Sequence, residues 1–158
     1  MSNKFEILMH QLDMPLEMRN SEAFLNADIE KVLVHKVSRV WEFHFSFANI
    51  LPIEIFRELQ KRLAQSFSRA GNQAIFEIHC QAPQVSDELL QAYYQLAFEE
   101  GPCASHGFKS LYQDLQVHLD GDKLLIEGAS TIDTEHFRKN HLPNLSRQLV
   151  KYGFPQLT

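Results

Sequence analysis

Three short pairs hold the imidazoles and carboxylates best suited to chemistry: Glu42 with His44, Glu77 with His79, and Gln116 with His118. Each pair has i, i+2 spacing, which puts both side chains on one face of an extended strand. If the three strands are neighbours, three imidazoles and two carboxylates share one surface. That donor set suits zinc or manganese and defines one reading, a small metal-dependent enzyme. The plainer reading is a sheet with helices on one face and polar residues, His beside Glu, on the other. No His-x-x-x-His or paired-cysteine spacing accompanies the three pairs, and a register shift of two residues disperses them. The plainer reading is preferred, and no metal ligand is assigned.

Cations form a second constellation. Arg57, Lys61, Arg62 and Arg69 fall on one helical stretch, and Arg138, Lys139, Arg147 and Lys151 lie near the C-terminus. Either group can reach phosphates. The competing reading is a solvated helix face, with Glu54 and Glu58 supplying local charge pairs. The formal net charge of −5 and pI near 5.9 oppose broad binding to duplex DNA, which needs clustered cations. No GxxG occurs, so the loop by which KH modules clamp a single strand is missing. No GxSxG or phosphate-cradling glycine loop occurs either. Catalytic and cofactor-binding residues are therefore expected to be none. Phe5 and Met9 near the N-terminus, and Tyr93 and Tyr94 further on, are candidate partner-binding residues. Against that, a terminal helix commonly docks on its own domain, and a Tyr-Tyr pair on a helix commonly has one packed and one exposed ring.

The elements that must position these groups read as follows. Asn3–Leu12 is an amphipathic helix with Phe5, Leu8, Met9 and Leu12 on one stripe, ended by Pro15. Residues 16–28 are a connector with a helical turn around Ser21–Leu25. Ile29–Ser38 is a Val-rich strand. Ser38-Arg39 turns into the strand Val40–Phe47, where Trp41, Phe43, Phe45 and Phe47 alternate with Val40, Glu42, His44 and Ser46. Pro52 opens a helix running to Ala70, with Phe56, Leu59, Leu63 and Phe67 at helical spacing and Gly71-Asn72 as its stop. Ala74–Cys80 is a third strand. Ser86 caps a helix reaching about Glu100. A shorter helix spans Ser105–Tyr112. Asp120-Gly121 turns a hairpin of Leu115–Leu119 and Lys123–Glu127. Thr134–Asn140, capped by Asp133, and Pro143–Tyr152 are the last helices.

The fold class expected is α+β: a mixed sheet with helices packed on one face. The length of 158 residues suits one domain. The expected organisation is a single interaction domain over 1–153, with an N-terminal helix in 1–14 and an α+β core in 28–153. Residues 154–158 read as the start of a linker to a longer protein. Hydrophobic residues make up 44% and include twelve Phe, which indicates a core built on rings. Two isolated cysteines, Cys80 and Cys103, fit a reducing cytoplasm. No stretch approaches the length of an apolar membrane span.

Five stretches together resemble one family. They are MSNKFEILMHQLDMP from Met1, VSRVWEFHFSFANILPIEIF from Val37, SDELLQAYYQLAFEEGP from Ser86, LLIEGASTIDTEHF from Leu124 and HFRKNHLPNLSRQLVKYGF from His136. The chain resembles the N-terminal segment of the PolC-type DNA polymerase III alpha subunit, the replicative polymerase of Gram-positive bacteria, over nearly its whole length. The resemblance implies a truncated type-II KH fold, similar to the polymerase-binding domain of the clamp-loader tau subunit. It implies a non-catalytic segment of an enzyme that synthesises DNA on a template and proofreads with a 3′–5′ exonuclease. Divalent metal such as magnesium, and DNA itself, are implied for modules further along; replisome proteins are the implied partners here. No membrane and no small-molecule substrate is expected for this segment. The readings left in competition are a docking domain, a KH-like single-strand binder and the metal-dependent enzyme.

Overall fold

The computed structural model describes residues 2–100, 113, 115–121, 123–127 and 142–156. The expected helices at 105–112 and 134–140, the cap Asp133, and the cations Arg138 and Lys139 lie outside them. Where the sequence reading has one domain over 1–153, the chain clusters into two compact units, Met1–Pro83 and Gln84–Thr158.

In the first unit, α1 (Asn3–Gln11) is followed by the short α2 (Leu16–Arg19) and a 3-10 turn (Glu22–Phe24). Then come β1 (Asp28–His35), β2 (Val40–Phe47), α3 (Ile53–Ser68) and β3 (Gln73–Cys80). The three strands form a mixed sheet in the order β1-β2-β3, with β1 antiparallel and β3 parallel to β2. This is the expected α+β class. The parallel pair requires a crossover, which α3 supplies.

The alternation in β2 decides which face is covered. Phe43, Phe45 and Phe47 are buried, and Trp41 at the end of the row is half-buried. Phe5 of α1 meets Phe45 and Phe47 edge-on at 5.7 and 5.5 Å between centroids. From α3, Phe67 lies 5.5 Å from Phe43 and Phe56 lies 5.1 Å from Phe76 of β3. Both helices thus pack on the ring-bearing face. Offset and edge-on pairs add about 0.5–1.5 kcal/mol each beyond the burial of their area.

Helix ends follow local chemistry. The hydroxyl of Ser2 accepts from the Phe5 N–H at 3.3 Å and caps α1. Its stop is Asp13 in the left-handed region (φ 55°), ahead of Pro15. The Asp13 and Met14 N–H groups donate back to the carbonyls of His10 and Met9. Asp tolerates that conformation because its short polar chain bonds locally, so the break falls two residues before the proline. Gly71 (φ 75°) ends α3 with the same pair of bonds, Gly71 N–H to Ser68 and Asn72 N–H to Phe67. A Cβ there would meet the Arg39 guanidinium at 3.3 Å. Arg39, also left-handed (φ 57°), accepts the Gln73 N–H at 2.9 Å and sets where β3 joins β2.

The second unit holds α4 (Asp87–Ala97), an antiparallel hairpin of β4 (Gln116–Asp120) and β5 (Lys123–Glu127), and α5 (Leu142–Lys151). The Ser86 hydroxyl caps α4 by accepting from Leu89 N–H at 3.1 Å. Side chains of α4 bracket β4. Gln91 donates to the Leu115 carbonyl at 3.0 Å and accepts from Val117 N–H at 2.9 Å, while Asp87 accepts from Leu119 N–H at 3.0 Å. Two N–H groups of β4, those of Val117 and Leu119, are thereby satisfied. Phe154, read in sequence as the start of a linker, is buried and edge-on to Tyr93 at 5.4 Å. Gly153 (φ 107°) turns the chain back so that this ring reaches α4.

Candidate functional site

The uncovered face of the first sheet carries the densest polar chemistry. Pairing sets Lys31, His44 and Glu77 in one row across β1, β2 and β3, and Leu33, Glu42 and Ile75 in the next. His44 Nε2 lies 2.5 Å from Glu42 Oε2, and its Nδ1 lies 3.7 Å from Glu77. His35 approaches the other oxygen of Glu42 at 3.8 Å, and His79 pairs with Glu30 at 3.2 Å. His35 and His44 thus face carboxylates on a neighbouring strand, His44 also pairs with Glu42 of its own strand, and His79 reaches Glu30 past β2. Such partly exposed pairs contribute about 0–1 kcal/mol each.

The three expected pairs do not share one sheet. Glu42, His44, Glu77 and His79 share the sheet, but His118 belongs to the separate β4-β5 hairpin of the second unit. There it lies between Asp87 at 3.6 Å and Glu127 at 3.5 Å. Strand adjacency was the assumption that failed, because among the described residues β3 is paired with β2 alone. Among the described residues, no group of three or more His, Cys, Asp or Glu has the geometry to hold a metal ion.

One end of this face opens into a groove of about 790 Å³ lined by Ser2, Asn26, Asp28, Glu30, Ser46 and Gln81. Ser46 is buried beneath Gln81, which donates to its hydroxyl at 3.4 Å. The Asp28 carboxyl is held below its ordinary value of 3.8. A hydrogen bond from Ser2 is the largest cause, and the Ile29 N–H and the Lys4 charge act in the same direction. Burial raises the Cys80 thiol to about 11, which keeps it protonated and unreactive near neutral pH.

The candidate partner anchors are displaced by burial. Phe5, Met9, Tyr93 and Tyr94 are each 0% exposed. Phe5 fills the space above the ring row, and Tyr93 packs on Tyr152 at 5.2 Å. Tyr94 packs on Phe98 at 4.9 Å, so both tyrosines are core and the expected exposed ring does not exist. A helical stripe looks the same in sequence whether it meets its own sheet or a partner. The cations of α3 do remain outward: Arg57, Lys61 and Arg69 are exposed. Arg62 is engaged, donating to the Glu58 carboxylate and to the Asp13 carbonyl, which turns it into a clasp between α3 and the end of α1.

What sequence reasoning passed over is β1. Seven of its eight residues are exposed, including Val32, Leu33 and Val34, and Val37 in the following turn is fully exposed. The signal was present in its Val-rich composition, which suits a central strand and a bare edge equally.

Comparison with known proteins assigns the chain. The family described as DNA polymerase III polC-type N-terminus I matches residues 4–78, and that described as polC-type N-terminus II matches residues 92–158. The chain is 95% identical over its whole length to a DNA polymerase III PolC-type of Streptococcus sanguinis. It is 63% identical over 98% of its length to one from Streptococcus pneumoniae, and 52% identical over its whole length to one from Streptococcus pyogenes. It spans 11% of the length of each of these relatives. No solved structure matches the chain. The chain belongs to the N-terminal region of the PolC-type DNA polymerase III family.

Proposed function

We propose that this segment is a non-catalytic docking module of a PolC-type replicative polymerase, holding the enzyme to other replisome proteins. The observation that carries the reading is the match of both halves of the chain to the N-terminal families of that polymerase. DNA-templated synthesis, 3′–5′ exonuclease proofreading, the magnesium they use and the main contacts to DNA then belong to the remainder of the polymerase, working in the cytoplasm. The chemistry of the described residues supports this division. On this face His44 is engaged with Glu42 and Glu77 and His79 with Glu30, whereas two-metal catalysis needs clustered carboxylates. No helix among the described residues is long and apolar enough to cross a membrane. A mixed sheet with helices on one face is compatible with the truncated KH-like scaffold and the tau likeness, which stay part of this proposal.

The test is deletion of these residues from the full-length polymerase. Primer extension on a short template should persist, while binding to purified replisome proteins should fall at least tenfold. Nucleotide incorporation by the isolated segment, or loss of short-template extension on deletion, would overturn the reading. The alternative, a KH-like single-strand binder, draws on the exposed cations Arg57, Lys61 and Arg69. It requires single-strand affinity that falls steeply with salt and disappears on Lys61→Ala with Arg69→Ala.

A further inference from the structure

The docking role does not say where a partner sits, and β1 offers an answer. It is the terminal strand of its sheet, and no described residue pairs with its outer edge. The unit Gln84–Thr158 treats its own edge differently, with Asp87 and Gln91 capping the backbone of β4. An uncapped row of N–H and C=O groups is a template for another strand. The bulge between Ile29 and Lys31 breaks the ladder at the start of β1, so the regular stretch is Lys31–His35.

That stretch is two-sided. Val32 and Val34 pair with Phe43 and Trp41 and so lie on the ring-bearing face, where both stay more than a third exposed. Lys31 and His35 pair with His44 and Val40 and lie on the polar face, with Leu33 between them. From Lys31 to Arg39 the chain carries Lys31, Lys36 and Arg39 and no carboxylate, although its total charge is −5. The nearby carboxylates Glu30 and Glu42 already face His79 and His35.

We infer that β1 receives an extended segment of a protein partner as a fourth strand, and that this segment alternates acidic with β-branched residues. Cross-strand neighbours share a face. The partner's β-branched residues therefore cover Val32 and Val34, and its carboxylates meet Lys31 and, just past the end of the strand, Lys36. Main-chain hydrogen bonds supply affinity and the alternation supplies specificity. This inference rests on the docking role proposed above.

The experiment uses the 158-residue chain and a capped nine-residue peptide alternating glutamate and valine. The expected result is 1:1 binding by calorimetry, with slowed amide exchange at Val32–His35. A peptide with lysine for glutamate, and one N-methylated at alternate residues, should both fail to bind. Lys31→Glu with Lys36→Glu, both at exposed positions, should weaken binding at least tenfold without changing the melting temperature. The inference is overturned if the glutamate peptide does not bind, or if the N-methylated peptide binds equally well. It is overturned equally if the chain alone dimerises with protection at Val32–His35, or if a single-stranded oligonucleotide gives that protection. A charge-reversed chain that still captures a replisome protein would reject the β1 site and leave the docking role standing. Failure of the unaltered chain to bind any replisome protein would reject the docking role itself.

Discussion

Replacing Phe45 by alanine removes the ring at the centre of the aromatic row. Phe45 is 0% exposed and lies within 6.0 Å of four other rings: Phe5, Phe43, Phe47 and Phe76. Those neighbours come from α1, β2 and β3, so no single side chain can swing in to fill the space. A buried Phe→Ala change costs about 3–5 kcal/mol. A unit the size of Met1–Pro83 has roughly 4–12 kcal/mol in total at 0.05–0.15 kcal/mol per residue. The substitution should therefore remove a quarter or more of its stability. With a urea m-value of about 1–3 kcal/mol/M for small proteins, the midpoint should fall by roughly 1–5 M. Trp41 is the sole tryptophan and sits at the end of the same row, 6.5 Å from Phe43, so its fluorescence reports this unit's unfolding. Val37→Ala is the control, because Val37 is fully exposed and should change stability by less than about 0.5 kcal/mol. A loss below about 1 kcal/mol for Phe45→Ala, or a midpoint matching the control, would refute the assignment of the ring face as the core.

Ser86→Ala should cost about 1 kcal/mol by removing the cap on Leu89 N–H, measured as a lowered midpoint of the second unit by circular dichroism. Gln91→Ala should cost about 1–3 kcal/mol, since the Val117 N–H and Leu115 carbonyl both lose their partner; the Val117 amide should exchange faster. In a Cys103→Ser background, the Cys80 thiol should react slowly with an aromatic disulfide reagent at pH 8. Raising the thiol from 9.0 to about 11 leaves roughly a hundredfold less thiolate, and reaction at the rate of free cysteine would contradict its burial. The lowered Asp28 carboxyl contributes stability that is present above its ordinary value of 3.8 and is lost as pH falls through its lower folded value. Ser2→Ala should move its NMR titration upward, and an unmoved titration would remove Ser2 as the main cause.

The ring-bearing face was legible in sequence because it obeys local periodicity. Trp41 to Phe47 alternate, Phe56 to Phe67 recur at helical spacing, and both patterns survive in the fold with strand and helix limits shifted by a residue or two. Ser86 and Gly71 were legible as boundaries for the same reason: a cap and a left-handed stop need only neighbours in the chain. Partnership across distance was not legible. The alternation that placed His44 and His79 on one face says nothing about which strand lies beside β3, and His118 went to another sheet. The helix stripe that suggested Phe5 and Met9 as anchors is equally the stripe by which α1 covers Phe45 and Phe47. Phe154 followed a glycine that resembled a chain end and turned out to be a hinge back onto Tyr93.

These misreadings share a cause that bears on function. In sequence, an apolar residue bound for the core and one bound for a partner are the same, and only strand order separates them. Once the rings of α1 and α4 are consumed by their own units, Ile7, Leu16, Leu25, Ile75, Leu125 and Val150 stand apart, while the exposed large apolar residues that follow one another most closely in the chain are those of β1 and its turn, Val32, Leu33, Val34 and Val37. They are bordered by Lys31, Lys36 and Arg39 in a chain that is acidic overall. Natural edge strands are blunted by shortness, bulges and charge, lysine above all, and the start of β1 carries such devices in its bulge and in Lys31. The stretch after the bulge at Ile29 and Lys31 is regular and carries cations alone. A charge of one sign repels its own copies and attracts the opposite sign. The pattern on β1 therefore selects an acidic strand over a second copy of itself. That selection puts the docking surface on an edge strand whose outer backbone pairs with no described residue.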